Sequence, residues 1–124
     1  MRFMLIHRVL EDDPASWEPN PELIERMNGF IEKLVANGAL LTADGVHNKG
    51  AVVRRRGAAV RSIDGPFAEA KEVVGGFMII NAKDLAEATA LGEEYITCFA
   101  GVEEMSVEVR QVVEAEDIEP YLNK

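Results

Sequence analysis

Val73-Val74-Gly75-Gly76-Phe77-Met78-Ile79-Ile80-Asn81 is apolar in both strand phases, with Val73, Phe77 and Ile79 in one and Val74, Met78 and Ile80 in the other. Successive side chains of a strand point to opposite faces, so a run apolar in both phases belongs in the middle of a sheet, away from water on either side. Residues 2–9 read the same way: Phe3, Leu5, His7 and Val9 alternate with Arg2, Met4, Ile6 and Arg8. These two stretches are the expected central strands.

The segments between them supply the rest of the fold. Glu11-Asp12-Asp13-Pro14 breaks the first strand, and Asn20-Pro21-Glu22 offers a capping side chain, a proline at the first helical position and an acid in the first turn. Leu23, Met27, Phe30, Ile31 and Leu34 then recur at helical spacing up to Asn37-Gly38, which stops the helix. Ala39 to Val46 reads as the second strand. His47-Asn48-Lys49-Gly50 is a turn, and Ala51–Arg56 and Ala58–Ile63 around Gly57 have the pattern of a hairpin. Asp84-Leu85-Ala86-Glu87 has the spacing of a capping box and opens a second helix through Leu85, Ala88, Leu91 and Tyr95 to a stop at Gly101. Met105, Val107 and Val109 alternate with Ser106, Glu108 and Arg110 as a last strand, and the acidic tail from Glu114 is expected to be a short helical turn or frayed.

Strand, helix, strand, hairpin, strand, helix, strand is the order of a ferredoxin-like α+β core with a β-hairpin inserted between the second and third core strands. The first and third core strands are central in that topology, which agrees with the two-sided apolar runs. Two helices cover one face only, so apolar residues of the other face need a further cover, and a second subunit is the simplest.

The chain has 124 residues, 48% of them apolar, with 22 acidic and 13 basic side chains and a formal charge of -9. One domain over 1–124, with residues 113–124 as an acidic tail, fits that length, and roughly 65 to 70% of the extended chain's surface is buried at this size. A lone Cys98 excludes an internal disulfide and a cysteine-rich zinc module, and fits a reducing cytoplasm. The acidic balance argues against a binder of duplex nucleic acid. The four apolar residues Phe3 to Ile6 are too few for a signal sequence, and no run approaches a membrane span, so a soluble, unexported protein is expected.

Asp64-Gly65-Pro66-Phe67-Ala68-Glu69, followed by Lys71-Glu72 and Gly75-Gly76-Phe77, resembles the DGPF signature of the YCII-related family. The opening Met1-Arg2-Phe3-Met4, the segment Asp44-Gly45-Val46-His47 and Glu108-Val109-Arg110-Gln111-Val112 extend the likeness over nearly the whole chain. The resemblance implies a dimeric ferredoxin-like α/β barrel among small bacterial proteins, mostly of unestablished function, with occasional association with sigma-70-type transcription factors. It supplies no substrate. An enzymatic role is inferred for the wider family from a recurrent histidine and aspartate, the histidine lying on the first helix of one branch. Here Glu22 to Asn37 contains no histidine, so Asp64, with His47 as a substitute, is the pair this sequence offers.

Asp64 has two readings. It caps the N–H of Phe67 or Ala68 as the chain turns, since Pro66 has no N–H to offer. Alternatively the Gly-Pro pair fixes the backbone, Phe67 anchors the loop, and Asp64 points into a cavity as a base or orienting group. An imidazole titrates near 6.5 and suits acid–base work, so His47 is the candidate proton carrier beside Asp64; the plainer reading is a solvated loop histidine. His7, in phase with the core residues of its strand, is either a packed histidine with a satisfied hydrogen bond or a ligand contact. Arg110 is placed to clamp a carboxylate or to pair with Glu108 or another strand. The arginines 54, 55, 56 and 61 make the hairpin the one basic patch, suited to an anionic partner or to protecting a strand edge.

No dedicated metal is expected from two histidines without a close ligand pair. Gly75-Gly76 lacks the spacing of a dinucleotide fingerprint, and its small residues fit a close approach of a neighbouring element. The expectation is a homodimer without cofactor, binding a small polar or anionic metabolite near the DGPF loop with acid–base chemistry at Asp64 and His47. Arg110, His7 and Phe67 are its substrate contacts. The alternative is a non-catalytic module working with a sigma factor.

Overall fold

A computed structural model of the chain describes residues 1–65 and 71–122. Its centre is β1 (Arg2–Leu10) paired antiparallel with β5 (Glu72–Asn81). β2 (Leu40–Gly45) joins the outer side of β5, and β6 (Met105–Gln111) the outer side of β1, giving a four-stranded antiparallel sheet of order β2-β5-β1-β6. β3 (Ala51–Arg56) and β4 (Ala59–Asp64) form a separate two-stranded ribbon between β2 and β5. With α1 (Pro21–Ala36) and α2 (Leu85–Thr97), this is the ferredoxin-like α+β arrangement, with the two-sided strands in the middle.

The helices pack on the sheet face that carries Phe3, Leu5, Met78 and Ile80, which are buried with Phe30, Leu34, Ala88 and Tyr95 in one apolar cluster. Asn20 caps α1 by accepting a hydrogen bond from the Leu23 N–H at 2.9 Å, and Asp84 caps α2 through the Glu87 N–H at 2.9 Å. The Asn20 amide also donates to the Ala100 carbonyl at 2.7 Å, so one side chain starts the first helix and ties down the turn after the second. That helix ends at Thr97, earlier than the expected stop at Gly101; Gly101, at φ +86°, makes the turn that follows. The tail winds into α3 (Ala115–Leu122), longer than the expected helical turn. Asp117 accepts from the Glu114 N–H at 2.8 Å at its start.

The other sheet face differs in kind. Met4 lies opposite Ile79 and Ile6 opposite Phe77, all four half-buried. Thr42 and Asp44 flank them on β2, and Arg110 and Glu108 on β6.

One strand departs from the sequence reading. His7 pairs with Gly76 but Arg8 pairs with Val74, so Gly75 is an extra residue, a β-bulge. The alternation of β5 reverses there. Val73 therefore shares the buried face with Met78 and Ile80 and sits opposite Val9, while the exposed Val74 is opposite Arg8. The grouping of Val73 with Phe77 and Ile79 is corrected by that one inserted glycine.

Candidate functional site

The twin glycines exist for His7. A Cβ at Gly75 would lie 2.6 Å from His7 Nε2, and one at Gly76 would lie 2.5 Å from His7 Cε1 and 2.6 Å from the Asp44 carbonyl oxygen. No side chain fits at either place, and the imidazole occupies the space two residues leave empty. The close approach expected for these glycines is thus made by a ring from β1 and by the backbone of β2.

His7 is buried. Its Nδ1 is 2.6 Å from the Tyr95 hydroxyl, and the ring lies 4.6 Å, centroid to centroid, from Phe99. Burial lowers its pKa to about 4, the Gly75 backbone acting weakly the other way through a hydrogen bond, so the imidazole is neutral at pH 7. The tautomer with hydrogen on Nε2, the nitrogen against Gly75, leaves Nδ1 to accept the Tyr95 proton and satisfies both partners. Burial likewise raises the Tyr95 phenol, which keeps its proton as the donor.

Two cavities meet at this histidine. The smaller, about 200 Å³, runs under the helices between Met27, Ile31, Tyr95 and the end of β2. The larger, about 430 Å³, opens between the 3-10 turn at Pro14–Ser16 and the loop after β2; Trp17, Phe99, His47 and Lys49 are among its walls. Its first wall is held by Asp13, whose carboxylate accepts from the Ala15 N–H, and by the Trp17 indole, which donates to the Glu11 carbonyl at 2.9 Å. The second is fixed where the Val46 N–H reaches the Gly75 carbonyl at 2.9 Å, beside the bulge.

The chemistry of the larger cavity is distinct from that of the chain around it. Among the described residues no aspartate or glutamate lines it, although the protein carries 22 acidic side chains. Lys49 and His47 stand at its wall with Ser16 and Asn48; among the described residues Ser16 Oγ and Asn48 Oδ1 are buried without a hydrogen-bond partner, as is Oε2 of Glu11, the residue whose carbonyl holds the Trp17 indole. Such orphaned polar atoms cost free energy that a ligand can recover. A third space of about 460 Å³ continues on the far side of the same loop, past Arg8 and Val52.

The residues singled out from sequence are brought together only in part. His7 and His47 line the larger cavity together. Asp64 closes the base of the ribbon opposite Ala51 and is exposed; among the described residues no hydrogen bond or ion pair joins it to His47. Arg110 is exposed on the sheet face away from the helices, opposite Met4, and lines none of the three cavities. Phe67 lies outside the described residues, as do the N–H groups Asp64 was expected to cap. Sequence reading missed Lys49, Ser16, Asn48 and Trp17. The adjacency of His47, Asn48 and Lys49 in one turn was the available signal, whereas nothing local pairs that turn with residues 15–17.

Among the described residues no group of three or more histidine, cysteine or acidic side chains is placed to hold a metal ion, and no helix is long and apolar enough to cross a membrane. No curated protein matches the chain. The model of the YCII-related domain does, over residues 1–116, a span holding the sheet, the helices α1 and α2, the bulge with its histidine and both walls of the larger cavity; the chain belongs to the YCII-related family.

Proposed function

We propose that this protein binds a small anionic metabolite in the larger cavity, as a homodimer. The observation that carries the reading is the cavity's makeup among the described residues: a lysine, two histidines and two polar atoms without a hydrogen-bond partner against aromatic walls, with no carboxylate in the lining. In a chain of charge -9, a carboxylate-free pocket with a cation at its wall favours an anion, while Trp17 and Phe99 suit an apolar body. Lys49 meets the charge, Ser16 and Asn48 supply hydrogen bonds, and neutral His7 serves as wall. His47 is the proton carrier if the bound metabolite is also turned over. Asp64, opposite Ala51 at the foot of the ribbon that this loop leads into, is its orienting group in that case.

Two copies associate in this reading through the sheet face of Met4, Ile6, Phe77 and Ile79. An apolar centre with a polar rim, here Asp44, Thr42, Glu108 and Arg110, is the usual anatomy of a subunit interface.

Thermal-shift measurements against a panel of small carboxylates and phosphate esters test the ligand class. At least one anion raises the Tm of the wild type, Lys49→Ala abolishes the shift, and Asp64→Asn keeps it. A panel of neutral or cationic compounds that stabilises the protein equally well in both wild type and Lys49→Ala defeats the reading.

A further inference from the structure

The ribbon β3–β4 stands apart from the sheet, and almost every residue of it is exposed. An isolated two-stranded ribbon is marginal in water, because neither face is covered. This one carries an added strain: Arg54 lies directly opposite Arg61, with Arg56 on the same face. Like charges across a strand pair repel. Among the described residues no hydrogen bond or ion pair engages these guanidinium groups or that of Arg55. Val53 and Val60 are 66% and 64% exposed beside them.

α3 is the complement. It too is exposed along its length, with Glu116, Asp117 and Glu119 carrying its charge and Ile118 and Leu122 offering apolar surface. One chain thus bears a cationic, partly apolar ribbon and an anionic, partly apolar helix, both exposed. They also grow from opposite edges of the sheet. The ribbon is rooted in β2 and β5, and α3 follows β6, across the order β2-β5-β1-β6.

We propose that the basic ribbon of one copy docks on the acidic helix α3 of a second copy, and the reverse, forming two equivalent contacts about a twofold axis. An isologous pair makes any such contact twice, so a modest charge complementarity is doubled. The inference rests on the homodimer of the preceding section and is independent of the cavity's ligand.

Charge reversal tests it in the full chain, by sedimentation velocity at micromolar concentration. Arg54→Glu with Arg61→Glu, and separately Glu116→Lys with Glu119→Lys, each weaken self-association by roughly tenfold or more. Mixed one to one, the two variants recover wild-type affinity, because each reversed ribbon then meets a reversed helix and each native ribbon a native helix. Circular dichroism matching the wild type shows that each variant is folded. Dimers of unchanged affinity in both variants overturn the docking while leaving the sheet-face dimer standing. Loss of association without recovery in the mixture overturns it in favour of another ribbon partner, such as an acidic protein or a nucleic acid. A monomeric wild type removes the homodimer itself.

Discussion

At Gly75 the usual cost of glycine in a strand is reversed. Replacing a strand glycine by alanine ordinarily gains stability by restricting the unfolded chain. Here the added methyl would enter the space of His7 Nε2, at 2.6 Å, so Gly75→Ala is expected to lose roughly 1 to 3 kcal/mol in urea unfolding. Combining it with His7→Ala should recover part of the loss, a coupling that a generic strand glycine would not show. His7 also sets a pH dependence. Above pH 6.5 neither folded nor unfolded chain protonates it; below that the unfolded chain takes up a proton that the folded one, at about 4, refuses. Stability from this residue is full above 6.5 and falls towards pH 4, by about 3 kcal/mol in total. Thermal melts from pH 7.5 to 4.5 should therefore fall more steeply for the wild type than for His7→Gln. Tyr95→Phe, which leaves Nδ1 without its donor, should cost roughly 1 to 3 kcal/mol at pH 7.

Among the elements, the two capped helices differ in what their caps do. Asp84→Ala removes one cap and should cost about 1 kcal/mol. Asn20→Ala removes the cap of α1 together with the amide bond to the Ala100 carbonyl, and should cost about twice that, read from denaturant midpoints. Both caps, the strand order and the ribbon are legible in the sequence because each is written locally: an Asn or Asp before the helix, a change of hydrophobic period, a glycine at a turn. The bulge is not. Two adjacent glycines carry no phase of their own, so β5 reads as unbroken alternation and Val73 falls on the wrong side. The larger cavity is hidden for a different reason. Its walls come from residues 14–17 and 45–49, and only the closing of the sheet sets a turn after β1 against a loop after β2. Asp64 stands out through its motif neighbours, a signal that carries no information about where its carboxylate lies relative to His47.

At the scale of the whole molecule, one sheet face is packed by helices and the other holds four half-buried apolar side chains. Ile6→Glu would place a charge at the centre of that patch, opposite Phe77 and beside Glu108. The variant is expected to sediment as a monomer at micromolar concentration with its far-ultraviolet spectrum intact; a dimer as stable as the wild type would locate the interface elsewhere. The bulge has a consequence for how this domain tolerates change. Because Gly75 is the odd residue out, β5 obeys one parity below it and the opposite parity above it. Excising that single glycine would merge the two parities into one unbroken alternation, keeping Val73 inside opposite Val9 and Val74 outside opposite Arg8, and would erase the bulge whose carbonyl holds the Val46 N–H. A lost codon there would do what no point substitution in the strand could.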